Sequence, residues 1–149
     1  MIIDQHTKLY GVVGHPISHS LSPTMQNAAF SASDLNAIYL AFETKDIEGC
    51  LKGVRALGLR GMSVTLPHKS AVIPLLDKVD GLAKKIGAVN TIVNDEGELI
   101  GYNTDAVGAL NALAVKTELS GKTCLIIGAG GAARAIGFIL KENGVEVEV

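Results

Sequence analysis

The stretch TCLIIGAGGAARA, residues 123–135, decides the fold class. A short apolar run rich in β-branched residues, Thr123 to Ile127, meets Gly128-Ala129-Gly130-Gly131-Ala132-Ala133 and passes straight into a helical pattern. A strand closed by a glycine turn that opens a helix is the unit of a parallel sheet covered by helices. The spacing Gly128-x-Gly130-x-x-Ala133 fits the dinucleotide-binding turn, in which the third position tolerates alanine. A tight β-to-α turn with no ligand is the alternative reading of the same residues.

Working back toward the N-terminus, the same alternation repeats. Strands are expected at Leu9 to Gly14, Asn36 to Glu43 and Arg60 to Val64. Helices are expected from Ser22-Pro23 to about Ser33 and from Ile47 to Leu57, the latter ended by Gly58. Pro67 is expected to open a third helical stretch, continued from Leu75 to Lys85. Ala88 to Asn94 and Glu98 to Tyr102 read as strands joined at Asp95-Glu96-Gly97, a hairpin within the alternation. A helix from about Thr104 to Lys116 and a linker from Glu118 to Lys122 precede the strand at Thr123. A last helix, Gly130 to Asn143, and a last strand, Val145 to Val149, complete the pattern. The expected fold class is α/β: a mixed, mostly parallel sheet with helices on both faces, followed by the first βαβ unit of a Rossmann-type domain. The expected domains are residues 1–119 and residues 120–149. A doubly wound domain needs two βαβαβ halves, so the chain reads as truncated within its second domain.

Composition narrows the function classes. Of the 149 residues 48% are apolar and 19% charged, enough to bury a core and too little polarity for disorder. The net charge of −2 gives no reason to expect nucleic acid or an anionic membrane as partner, and aromatic content of 4% without Trp offers no base-stacking platform. The longest apolar run is interrupted by Arg134 and glycines, so no membrane span is expected, and the polar start, Met1 to Lys8, does not read as a signal peptide. Cys50 and Cys124 sit in apolar segments and read as two buried thiols in a reducing, cytoplasmic setting. His15 and His19 are four apart across Pro16, and no acidic or cysteine cluster completes a set, so no metal is expected.

Four further motifs carry candidate chemistry. In His19-Ser20-Leu21-Ser22-Pro23, two hydroxyls stand at a helix N-terminus, where the dipole and bare N–H groups favour an anion such as a carboxylate. Ser22 also reads as a plain N-cap. In Ser63-Val64-Thr65-Leu66-Pro67-His68-Lys69, Thr65 leaves a strand at its C-terminal end and Lys69 is expected in the first turn of a helix, a placement suited to proton transfer. A solvated surface lysine is the alternative. Asn90 interrupts an apolar strand and can both donate and accept toward a polyhydroxylated ligand, or it can bond a neighbouring loop. Asp105, in a first helical turn, can accept from a ligand hydroxyl or pair with a lysine, or simply complement the dipole.

Together and in this order, these motifs resemble the shikimate dehydrogenase family. The resemblance rests on Gly14-x-Pro16-Ile17-x-His19-Ser20-x-Ser22-Pro23, Val64-Thr65-x-Pro67-x-Lys69, Gly87-Ala88-Val89-Asn90-Thr91, Gly101-x-Asn103-Thr104-Asp105 and Gly128-x-Gly130-Gly131-Ala132. It implies that Ser20 and Ser22 hold a substrate carboxylate and that Thr65, Asn90 and Asp105 hold ring hydroxyls. Lys69, with Asp105 as its catalytic partner, is the implied acid–base group. Gly128, Ala129, Gly130, Gly131 and Ala132 would receive the pyrophosphate of NADP. The implied reaction is the reversible reduction of 3-dehydroshikimate to shikimate in aromatic amino-acid biosynthesis. Because the second domain is incomplete, the 149-residue chain is expected to be inactive alone, with the tail Cys124 to Val149 either mobile or buried against a second copy in a homodimer. Alternatives are a quinate/shikimate dehydrogenase using NAD, and a shikimate-binding fragment without turnover. His15 and Ser63 stand where the family usually carries Asn.

Overall fold

The computed structural model describes residues 3–149. Six strands form one sheet: β1 (Lys8–Gly14), β2 (Ala37–Glu43), β3 (Gly61–Val64), β4 (Lys78–Val79), β5 (Thr91–Asp95) and β6 (Glu98–Tyr102), in the order β2-β1-β3-β5-β6-β4. β1 pairs in parallel with β2 and β3, β4 pairs in parallel with β6, and β5 is antiparallel to both β3 and β6. β5 therefore runs against the other five strands. A second, two-stranded parallel sheet joins β7 (Thr123–Leu125) to β8 (Glu146–Glu148). The helices are α1 (Ser22–Ala32), α2 (Ile47–Ala56), α3 (Gly81–Ile86), α4 (Asp105–Ala114) and α5 (Gly131–Glu142). None is long and apolar enough to cross a membrane.

Alternation along β1 distributes the helices over two faces. Leu9 and Val13 join the main core with Leu51 and Val54 of α2 and Ala83 of α3. Tyr10 and Val12 pack the other way, with Phe30 of α1 and Tyr39. α2 is bounded by local chemistry. Asp46 caps it by accepting the Gly49 N–H at 2.8 Å. Gly58, at φ +64°, ends it while the Leu59 N–H bonds back to Val54 O at 3.0 Å. The β5–β6 hairpin turns at Glu96 (φ 49°) and Gly97 (φ 98°), the two positive φ values of a primed turn. Buried Asn94 accepts the Gly97 N–H at 2.8 Å and donates to Leu59 O at 2.7 Å, fixing the hairpin to the α2–β3 connection.

Four expectations from the sequence need correction. Pro67 does not open a helix: residues 66–72 form successive turns, followed by one 3-10 turn, Ile73–Leu75. Two prolines seven apart leave no room, because Pro74 supplies no N–H and its ring crowds the carbonyl four residues back, so helical geometry is confined to the single 3-10 turn that contains it. Nor is Leu75 to Lys85 continuous helix. Lys78 and Val79 are drawn onto β6, opposite Ile100 and Gly101, and Asp77 accepts the Leu99 N–H at 2.7 Å. Finally, β5 begins at Thr91 rather than Ala88, since the Val89 N–H turns away to bond Lys69 O at 2.8 Å. Cys50 and Cys124 are unpaired and half-buried rather than fully buried, and burial pushes the Cys50 thiol up.

A smaller apolar cluster joins the two sheets. Ile86, Ala88, Ala106 and Ala135 are buried together, with Leu82, Phe138 and Ile139 against them, so α5 packs on α3 and α4.

Two glycines give a test of this packing. A Cβ on Gly61 would stand 2.8 Å from Ile92 O in the adjacent strand, whereas one on Gly53 in α2 meets nothing within 4 Å. Gly61→Ala should cost about 1–3 kcal/mol by overpacking, and Gly53→Ala should gain about 0.5–1 kcal/mol. Urea unfolding of both variants checks this; a neutral Gly61→Ala would contradict the close β3–β5 approach.

Candidate active site

The strand directions bring four connections to one sheet edge. β1, β3 and β6 end there, and antiparallel β5 begins there. The edge thus collects Gly14 to Ser22, Thr65 to Lys69, Val89 to Thr91 and Asn103 to Asp105. The C-terminal edge of such a sheet is where α/β proteins bind ligands.

A polar network occupies its centre. Lys69 Nζ donates to Asp105 Oδ2 at 2.5 Å, with the side chains only 15% and 27% exposed. Asn90 Nδ2 donates to the other carboxylate oxygen, Asp105 Oδ1, at 2.7 Å. Asn90 Oδ1 accepts from the Thr104 N–H and from Thr91 Oγ1, both at 2.9 Å, which fixes the orientation of the amide. Behind the network, buried Asn103 donates to Ala88 O at 2.9 Å and accepts the Ala106 N–H at 3.2 Å, setting where α4 starts. The sequence placed Lys69, Asn90 and Asp105 on three separate segments, and the structure brings Lys69 and Asn90 onto the two oxygens of the Asp105 carboxylate.

Lys69 does not sit in the first turn of a helix, so the dipole argument for it lapses; its electrostatic partner is Asp105. The turn that carries it is held at several points. The His68 N–H bonds Thr65 O at 2.9 Å, the Val72 N–H bonds His68 O at 2.9 Å, and Lys69 O accepts from Val89. His68 is 4% exposed and its Nε2 lies 2.8 Å from Thr44 O, which can only accept, so that nitrogen carries the proton. Sequence reasoning missed this role for His68; a histidine in an otherwise proline-bounded turn was its only signal.

The two serines stand apart from this network. Ser22 is not an N-cap: α1 begins at Ser22 itself, after Leu21, with Pro23 in its first turn. Ser20 Oγ accepts the Ser22 N–H at 3.3 Å, so capping does not engage the Ser22 hydroxyl. Thr65 is half-buried beside the β1 end, its methyl 2.4 Å from where a Cβ on Gly14 would stand. One face-mate of Thr65, Ser63, accepts from the Tyr39 hydroxyl at 2.7 Å, and burial pushes the Tyr39 phenol up, so it stays protonated and donating.

The glycine turn forms as expected, although β7 ends at Leu125. Gly128 has φ +121°, and Cβ atoms at Gly128 or Gly130 would meet nothing within 4 Å. Gly130 is the N-cap of α5 and offers no side-chain cap, so the first N–H groups of the helix are bare toward the turn. An open turn of this kind fits a pyrophosphate. Among the described residues no three His, Cys, Asp or Glu side chains cluster closely enough to hold a metal ion.

The family model of the shikimate dehydrogenase substrate binding domain matches residues 12–92, more than half of the chain. The chain belongs to that family. The NADP(+) shikimate dehydrogenase of Moorella thermoacetica is 53% identical over 141 residues, covering 93% of this chain and 48% of that relative. The crystal structure of shikimate dehydrogenase from Aquifex aeolicus superposes with a TM-score of 0.95 at 46% identity, covering 98% of this chain and 56% of that one. The enzyme of Thermus thermophilus, solved in complex with NADP(H) and shikimate, gives a TM-score of 0.86 at 45% identity, covering 95% of this chain and 54% of that one. The chain therefore spans about half the length of the curated relatives it matches. The family match takes in Ser20, Ser22, Thr65, Lys69 and Asn90; Asp105 and the glycine turn lie beyond it.

The network makes a pH-dependent prediction. Asn90→Asp sets a second carboxylate against Asp105, and two carboxylates in one site ionise together only at a cost. The introduced acid then titrates above its unfolded value near 3.9, so the penalty is absent below that pH and grows as pH rises through it. Relative to the parent, the variant should lose about 1–3 kcal/mol at pH 7 and much less at pH 4. Thermal unfolding at both pH values checks this; an equal deficit at each would contradict the Asn90–Asp105 contact.

Proposed function

We propose that this chain carries the substrate-binding side of an NADP-dependent shikimate dehydrogenase, which interconverts 3-dehydroshikimate and shikimate. The observation that carries the reading is the Lys69–Asp105–Asn90 network at the sheet edge of a chain from this family. Residues 1–119 form the substrate domain in this reading, and residues 120–149 contribute the first βαβ unit of a dinucleotide-binding domain. The separation of the β7–β8 sheet from the six-stranded sheet supports that division.

Ser20 and Ser22 hold the substrate carboxylate by donating hydroxyl hydrogen bonds beside the start of α1. Thr65, Asn90 and Asp105 hold the ring hydroxyls. Asp105 also keeps the Lys69 ammonium on the reacting oxygen's side of the site. Lys69 donates a proton to the carbonyl oxygen when 3-dehydroshikimate is reduced and takes the hydroxyl proton when shikimate is oxidised. Gly128, Ala129, Gly130, Gly131 and Ala132 would hold the pyrophosphate of NADP, which supplies or accepts the hydride. The free cysteines are consistent with a cytoplasmic protein. Leu125 and Ile127, 66% and 95% exposed beside the unpaired edges of β7 and β8, support self-association as a homodimer.

Two measurements test the reading. Calorimetric titration of shikimate into the chain should show at least a tenfold weaker Kd for the double variant Ser20→Ala, Ser22→Ala, since bonds to a charged group are worth about 1.5–3 kcal/mol each. In a chimera that joins residues 1–149 to the C-terminal half of the Moorella thermoacetica relative, Lys69→Ala should lower kcat by about 10²–10⁴-fold and leave shikimate Kd within about tenfold. An unchanged Kd for the serine variant, or an unchanged kcat for Lys69→Ala, would overturn the assignment of those residues.

A further inference from the structure

The dinucleotide spacing Gly128-x-Gly130-x-x-Ala133 requires glycine at two positions and does not require it at residue 131, although that residue lies in the same turn. Its backbone does not require glycine, for its φ is not among the positive values in the chain. What it faces is Lys69. A Cβ on Gly131 would stand 2.9 Å from Lys69 Cδ, 3.1 Å from Lys69 Cβ and 3.5 Å from Ala88 Cβ. The first residue of α5 therefore lies directly on the stem of the lysine whose Nζ is bonded to Asp105. We propose that Gly131 is a positioning residue for Lys69, so that the glycine turn and the Lys69–Asp105 pair form one mechanical unit.

Crowding at this contact cannot be relieved by swinging the tip of the lysine alone. Lys69 Cβ is fixed to a backbone whose carbonyl is bonded to Val89. Either the Lys69 stem rotates and draws Nζ from Asp105, or α5 withdraws. Withdrawal is opposed from two sides. Ala135 and Ala106 are fully buried in the junction cluster, and Arg134 of α5 donates to Ser70 Oγ at 3.4 Å, while Ser70 Oγ donates to Gly87 O at 3.0 Å. Rotation of the lysine is the softer response, so a methyl group at residue 131 acts on the ammonium at the substrate site. The consequence for proton transfer rests on the reading of Lys69 given above; the packing contact does not.

The test uses the 149-residue chain without ligand. Brief acetylation with a water-soluble amine reagent, read by mass spectrometry, gives the reactivity of Lys69 against exposed Lys45 and Lys116. Gly131→Ala should raise the relative reactivity of Lys69 severalfold. Gly137→Ala, in the same helix with only ordinary contacts, should leave it unchanged. The thermal penalty of Gly131→Ala should shrink in a Lys69→Ala background, which removes Lys69 Cδ and leaves only Cβ, 3.1 Å from the added methyl. If Gly131→Ala fails to fold, the Lys69→Ala background should restore folding. Unchanged Lys69 reactivity in a folded Gly131→Ala variant, or a penalty undiminished in the Lys69→Ala background, would overturn the proposal. Shikimate titration of the parent separates the two claims: a reactivity change without shikimate binding retains the contact and rejects the functional reading.

Discussion

A lysine ammonium held 2.5 Å from a carboxylate at the edge of a sheet is the contact around which the rest of the structure is arranged. A half-exposed ion pair adds little to stability, and a partly buried one costs desolvation that its attraction does little more than offset. The neighbourhood is nevertheless built to hold it. Asn90 takes up the second carboxylate oxygen, Thr104 and Thr91 lock the amide of Asn90, and Asn103 fixes where α4 places Asp105. Stability alone does not account for so many polar groups committed to one weakly stabilising pair.

The reversed strand makes this arrangement possible. If β5 ran parallel to its neighbours, Asn90 would lie at the opposite edge from Thr65, Lys69 and Asp105. The tight turn at Glu96-Gly97 reverses the chain, and the β3–β5 register sets Thr91 against Ser63, so the start of β5 meets the ends of β3 and β6. The fold's one departure from parallel order is thus what gathers the site.

Much of this was legible in the residues. The alternating pattern of β1 and the glycine turn after Ile127 announced an α/β chain with two sheets, and the motif order announced the family. The segment from Pro67 to Lys85 was not legible. Its apolar spacing suits a helix, but the pairing of Lys78–Val79 with β6 and the hydrogen bonds of Asp77 to Leu99 are long-range and override local preference. The Ser22 cap failed for a smaller reason, a helix start displaced by one residue. The meeting of Lys69 with Asp105 and Gly131 depends on three segments spread over more than sixty residues, and no local signal encodes it.

The central claim is that a shikimate-type ligand binds at the edge where β1, β3 and β6 end and β5 begins. Amide chemical-shift mapping of the isotopically labelled chain during a shikimate titration tests it most directly. The account predicts saturable shifts gathered on Ser20, Ser22, Thr65, Lys69, Asn90 and Asp105. It also predicts quiet signals from the cavity on the β3–β5 face lined by Tyr10, Arg60, Val93 and Asp95. Shifts confined to that cavity, or none at all up to millimolar shikimate, would contradict it.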